Sequence, residues 1–244
     1  MSGATVRIAL VTGANKGIGF EVARQLGRHG CTVLVGARDL DRGAKAVARL
    51  RDEGVQAHLV ELDLDRPDTI RAAARVIKQD FCRLDILVNN AGIADAGDGP
   101  PDEAKVDSVL HVLNTNFVGA LRVAQAMLPL LRESRAGRIV NVSSSAGSLA
   151  LHGDPSWAFA KWSNLGYDSS KAALNMLTVE LAYELRDTPI KVNSADPGYT
   201  ATDLNHNSGY QTVKEGAIEV VRLALLPPDG PSGGFFSSAG RIPW

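Results

Sequence analysis

Short apolar runs alternate along the chain with stretches whose apolar positions recur every three or four residues. Val6–Val11, Thr32–Gly36, Gln56–Leu62, Leu84–Asn89, Arg138–Val142 and Ile190–Ala195 are the runs, with Gly233–Phe236 as a short last one. Their near-continuous apolar character predicts strands buried on both faces. Glu21–Arg28, Asp41–Glu53, Ile70–Lys78, Val106–Leu131, Tyr167–Leu185 and Val213–Leu225 carry the helical period. The longest of these, Val106–Leu131, is broken on paper only by Pro129 near its end.

Strand–helix alternation of this kind predicts an α/β fold of the Rossmann type. We expect a doubly wound parallel sheet of about seven strands with helices on both faces, three layers in all. At 244 residues the chain fits one domain, 1–244. Open sheets of this type bind ligands at the carboxyl ends of their strands. The loop-like stretches there, 94–101, 145–165, 199–209 and 227–232, are where specificity is expected to lie.

Composition removes several alternatives. Hydrophobic residues at 45% and charged residues at 22% are an ordinary globular balance, not that of a disordered or fibrous chain. Lys plus Arg total 26 against 27 Asp plus Glu, so there is no basic excess for nucleic acid or an anionic membrane. Met1 to Val6 shows no signal-peptide pattern, and no apolar run is long enough to cross a bilayer. Cys31 and Cys82 form neither a disulfide framework nor a metal cluster, and the five histidines lack ligand spacing, so no metal is expected. The chain reads as cytoplasmic.

Thr12-Gly13-Ala14-Asn15-Lys16-Gly17-Ile18-Gly19 follows the first strand and opens the first helix. Glycines let the backbone approach a phosphate, and a helix N-terminus offers free N–H groups and a positive dipole end. The spacing is neither that of a nucleoside-triphosphate loop nor the common Gly-x-Gly-x-x-Gly. Its place after the first strand favours a dinucleotide over a plain turn. Where an acidic residue would select NAD, the second strand ends in Gly36-Ala37-Arg38. Arg38 and Lys16 would suit a 2′-phosphate, so NADPH is expected ahead of NADH.

Tyr167 and Lys171 stand four apart at the start of a helix, on one face. An ammonium beside a phenol is expected to lower its pKa from about 10 and make it a usable acid or base. With this pair come Asn89-Asn90-Ala91-Gly92, Asn114-Thr115-Asn116, a strand ending in Ser143-Ser144, and Asp196-Pro197-Gly198. Together with the glycine turn, in this order and over nearly the whole chain, they resemble the short-chain dehydrogenase/reductase family in its single-domain form. Asn15-Lys16, Ala37-Arg38-Asp39 and Pro197–Leu204 resemble its carbonyl-reductase branch, which reduces aldehydes, ketones and quinones with NADPH.

The resemblance implies roles. Tyr167 would protonate the carbonyl oxygen, Lys171 would lower its pKa and hold the nicotinamide ribose, and Ser144 would orient the substrate oxygen, with Ser143 as the neighbouring alternative. Asn116 would kink its helix and hold a water leading to Lys171. Gly13, Asn15, Lys16, Gly17, Ile18 and Gly19 would cradle the cofactor, with Arg38 at its 2′-phosphate. Asp63 and Leu64 would meet the adenine, Asn90, Ala91 and Gly92 would line the cofactor, and Pro197, Gly198, Thr200 and Thr202 would close over the nicotinamide end.

The chain also departs from the pattern. Ser144 and Tyr167 lie 23 positions apart, more than is commonest in the family. The added stretch holds Trp157, Phe159 and Trp162, and Trp157 and Trp162 would cover a hydrophobic carbonyl substrate or else plug the domain. Of thirteen aromatic residues only Phe20 and Phe81 precede position 117. Three functions are weighed: NADPH-dependent carbonyl reduction, oxidation by an NAD(P)-dependent alcohol or hydroxysteroid-type dehydrogenase, and an idle cofactor-binding regulator. The partner expected is a small-molecule carbonyl substrate, and for the assembly a dimer, a tetramer and a monomer all stay open.

Overall fold

The computed structural model describes residues 6–244; the stretch read for a leader therefore lies mostly outside the described residues. Eight strands form one sheet: β1 (Ile8–Thr12), β2 (Thr32–Ala37), β3 (Ala57–Glu61), β4 (Ile86–Asn89), β5 (Arg138–Val142), β6 (Lys191–Ala195), β7 (Gly234–Ser237) and β8 (Gly240–Arg241). Their order is β3-β2-β1-β4-β5-β6-β7-β8, parallel throughout except for β7 with β8. The eighth strand was not expected. It is two exposed residues folded back after Ser237, too short to leave an apolar run.

Helices α1 (Gly17–Arg28), α2 (Leu40–Asp52), α3 (Pro67–Phe81), α4 (Val106–Leu113), α5 (Ala120–Leu131), α6 (Leu149–His152), α7 (Leu165–Glu184) and α8 (Val213–Ala224) surround the sheet, all but α6 on the predicted periods. Several starts have a local cause. Asp39 accepts the Arg42 N–H to begin α2, Pro67 opens α3, and Thr212 with Glu215 forms a reciprocal cap on α8. The apolar faces of α1, α2 and α8 pack on one side of the sheet, and those of α3, α5 and α7 on the other, giving two cores and three layers.

The pattern misjudged one break. The helix runs through Pro129 to Leu131, because a proline in the last turn removes only one backbone bond. The irregularity lies at Asn114–Gly119, a π-helical segment between α4 and α5 with Asn116 at its centre. The sheet reverses its winding between β1 and β4, which opens a crevice at their carboxyl ends. No helix among the described residues is long and apolar enough to cross a membrane.

Candidate active site

The glycine turn lies at the mouth of that crevice. Gly13 and Gly17 adopt positive φ (65° and 57°), open to glycine without strain. A Cβ on Gly19 would lie 2.4 Å from Asn90 Nδ2 and 2.7 Å from Gly13 O, so the turn has no room for one. Lys16 caps α1 without a side-chain hydrogen bond, which leaves the first-turn N–H groups facing the crevice. Thr12 ties the end of β4 beneath the turn: its hydroxyl accepts the Asn90 and Ala91 N–H groups (2.9 and 3.0 Å), and Asn90 Nδ2 donates to Thr12 O (2.8 Å). Asn90 therefore spends its amide on the turn.

Asn15, Lys16, Arg42, Lys45, Arg49 and Asp203 line a cavity of about 280 Å³ beside the turn. Four cations face one carboxylate there. Lys16 Nζ reaches Asp203 at 2.6 Å, both largely exposed, which makes this a latch of little stabilising weight. Arg38 is exposed just past β2 and has no ion-pair partner among the described residues. Thr202 lies over the turn, its methyl 3.7 Å from where a Gly17 Cβ would be, whereas the Thr200 hydroxyl turns back to Pro197 O and Gly198 O. Gly198, at φ 72°, gives its N–H to Asp196 Oδ1.

After β3, Asp63 folds onto its own turn by accepting the Asp65 N–H, and Leu64 is buried against Gly119. Asp65, which the sequence did not single out, binds both Asn114 and Thr115 at 2.9 Å. It thereby bolts this turn to the π-helical segment. Within that segment Asn116, fully buried, accepts the Ile93 N–H (2.8 Å) and donates to Ile93 O (3.0 Å) and Ser170 Oγ (3.0 Å). Gly92 sits between the groups: a Cβ there would be 3.3 Å from Asn116 Oδ1 and 3.6 Å from Lys171 Nζ.

The choice between serines is made by direction. Ser143 is buried with its hydroxyl toward Lys171 O, whereas Ser144 stands beside the Tyr167 phenol and eases its ionisation. Lys171 Nζ, buried, donates to Val142 O at 2.8 Å and lies 5.4 Å from the Tyr167 ring centre. The expected lowering of the phenol by Lys171 is reversed in this structure. Burial, then the charges of Asp196 and Asp168, push the Tyr167 phenol above its usual value. Burial likewise brings Lys171 down to about 8, and Asp196 opposes that fall. Asp196, itself buried and raised by desolvation, is a third charged group of this site that the sequence named without a role. Its closeness follows from the sheet, where Ala195 pairs with Val142, whose carbonyl holds Lys171.

The stretch between Ser144 and Tyr167 is not a bare loop. It contains a 3-10 turn (Ser145–Gly147) and α6, and it is anchored where Ala150 N donates to Trp244 O and Ser148 Oγ to Pro243 O. Beyond α6 the rings meet edge-on in a row: His152 to Trp157 (5.0 Å), Trp157 to Phe159 (5.7 Å), Phe159 to Trp162 (5.2 Å), Trp162 to Tyr199 (5.4 Å) and Tyr199 to Tyr210 (5.8 Å). Trp162 is 51% and Tyr210 74% exposed, so the row forms an aromatic roof partly open to solvent. Among the described residues no cluster of three His, Cys, Asp or Glu side chains could hold a metal ion.

A doubly wound sheet with a Tyr–Lys–Ser grouping at its crevice defines a dinucleotide-dependent oxidoreductase. The chain belongs to the short chain dehydrogenase family, whose model matches residues 7–212. It is similar to (+)-neomenthol dehydrogenase of Capsicum annuum, 35% identical with 95% of this chain and 96% of that protein covered. It is also similar to carbonyl reductase [NADPH] 3 of Rattus norvegicus, 36% identical with 91% and 92% covered. The solved NADPH-bound carbonyl reductase from chicken fatty liver superposes with a TM-score of 0.86 at 30% identity, over 99% of this chain and all of that one. Salutaridine reductase from Papaver somniferum gives 0.80 at 33% identity, over 95% and 99%.

Proposed function

We propose that this oxidoreductase reduces a small carbonyl compound with NADPH, Tyr167 giving the proton. The observation that carries the reading is the convergence of Ser144, Tyr167 and Lys171 on the crevice beside Gly92 and the glycine turn. The turn suits a dinucleotide: it lacks room for one further carbon at Gly19, and α1 begins without a cap. Lys16, Arg38, Arg42 and Lys45 supply the positive charge a 2′-phosphate needs, and relatives named as NADPH carbonyl reductases support the choice of NADPH over NADH.

NADPH supplies the hydride. The chain positions the carbonyl and supplies the proton. Ser144 Oγ holds the carbonyl oxygen against the phenol. Burial keeps Tyr167 protonated at neutral pH, which suits a group that must act as an acid. Lys171, fixed by Val142 O, holds a positive charge 5.4 Å from the ring centre, at hand when phenolate charge develops. Asn116 holds the Ile93 backbone and Ser170, so the π-helical segment, the β4 end and α7 move as one frame. The same reading takes the chain as one cytoplasmic domain.

A scan of aldehydes, ketones and quinones with NADPH and NADH, followed at the nicotinamide absorbance, tests this. The expected result is NADPH-dependent turnover that Tyr167→Phe lowers by about 10²–10⁴-fold, the usual worth of a general acid. Unchanged turnover in Tyr167→Phe, or a preference for NADH, would overturn the respective half.

A further inference from the structure

The helix that carries Tyr167 and Lys171 begins without a cap of its own. Asn164, the residue before it, makes no side-chain cap bond. The first N–H groups of α7 are satisfied instead by a loop 66 to 69 residues earlier. Leu165 N donates to Gly99 O (2.9 Å), Gly166 N to Asp98 Oδ1 (2.8 Å) and Tyr167 N to Asp98 Oδ2 (2.8 Å). Both carboxylate oxygens are thus used on two successive backbone groups, the second belonging to Tyr167. Asp98 Oδ1 also accepts the Gly99 N–H at 2.9 Å, which fixes the carboxylate to its own loop. Gly166 is the position that admits it: a Cβ there would lie 3.1 and 3.2 Å from the two oxygens and 3.0 Å from Val109 Cα.

The loop is itself held. Asp95 binds the Gly97 N–H (2.9 Å) and His111 Nδ1 (2.9 Å), the latter on α4, and Lys105 N donates to Gly97 O. Hydrogen bonds from Gly97, His111 and Ser108 bring the Asp95 carboxyl down to about 2. The cap on α7 is therefore referenced to α4 and not to a free strand of chain.

We propose that Asp98 is a positioning residue: it sets the axial place of the Tyr167 phenol by capping the catalytic helix from the 94–105 loop. This rests on Tyr167 as the proton donor. Asp98 meets Tyr167 at its backbone N–H and not at its phenol, so its effect is one of place. Asparagine is a poor substitute, because it can offer one acceptor to two donors.

The test compares Asp98→Ala, Asp98→Asn and Tyr167→Phe, with binding sites counted by NADPH fluorescence titration. Turnover per NADPH-binding site should fall about 10- to 100-fold in Asp98→Ala and less in Asp98→Asn, with NADPH affinity within about twofold of the parent. The solvent deuterium isotope effect on kcat should rise in both, as proton transfer from a displaced phenol becomes limiting. If Asp98→Ala folds poorly, Asp98→Asn, which keeps shape and volume, carries the same prediction. Turnover per binding site and isotope effect equal to the parent would overturn the positioning role while a dead Tyr167→Phe leaves the proton donor standing. Full activity in Tyr167→Phe would overturn both.

Discussion

The two sides of the crevice are built by opposite means. The cofactor side is a local turn, residues 13–19, made of missing side chains and backbone N–H groups. The acid side is assembled from distant segments: Tyr167 and Lys171 share α7, whereas Asn116, Ser144, Asp98 and Asp196 each arrive on a different element or loop. The first depends on space and the second on charge and placement. A single added atom should therefore break one side, whereas pH and remote carboxylates should govern the other.

Among the changes that test this contrast, the largest effect is expected at Gly19. Gly19→Ala forces a Cβ to within 2.4 Å of Asn90 Nδ2 and 2.7 Å of Gly13 O. Overpacking of this kind costs about 1–3 kcal/mol, roughly 10- to 100-fold in dissociation constant if it falls on cofactor binding. NADPH titration and thermal melting check this, and parent-like values for both would refute the view that the turn is limited by space.

The acid side should respond to pH instead. Burial penalises the Lys171 cation and brings its pKa to about 8, so the free enzyme carries the ammonium below that pH and loses it above. Tyr167 moves the other way and stays protonated through the same range. The value of kcat/KM for NADPH, which reports the free enzyme, should be level at neutral pH and fall above about 8. Asp196→Asn removes the carboxylate that supports the cation and should move this limb to lower pH. A limb at the ordinary lysine value, or one unmoved in Asp196→Asn, would mean that Lys171 is not what titrates.

The smallest effect belongs to the roof. Trp157→Ala and Trp162→Ala each remove a ring contact worth about 0.5–1.5 kcal/mol, so KM for bulky apolar carbonyls should rise by roughly 2- to 10-fold and for small ones hardly at all. Equal changes across a size series would make the row a structural brace.

The legible parts of the molecule were those written in one stretch. Glycines 13, 17 and 19, the apolar strands and the Tyr167–Lys171 spacing stand on consecutive or helically spaced positions. What escaped was made across distance. Asp98 caps a helix 67 residues away, Asp65 binds Asn114 and Thr115, and Asp196 reaches Lys171 only because β5 and β6 are neighbours. Each is a plain aspartate in a turn, and its partner has no local signature. The ionisation of Tyr167 was misjudged for a related reason: the Lys171 charge is visible in the spacing, whereas burial and the Asp196 charge are not. The tryptophans were legible as a group, but their union with Tyr199 and Tyr210 was not, since two loops had to meet.

The π-helical turn at Asn114–Gly119 has a further meaning for the register of its helix. A π-turn is equivalent to one residue inserted into an α-helix. Excising any one residue between 114 and 119 would restore an unbroken helix from Val106 to Leu131 and would improve its hydrogen bonding. It would also swing one flank by about 100° relative to the other, the step of one helical residue. The Asn116 amide would then leave Ile93 and Ser170, or α5 would lose its seat on the sheet. One rod thus meets two registers, that of Asn116 with Ile93 and Ser170 and that of α5 on the sheet, and the wide turn takes up the difference between them.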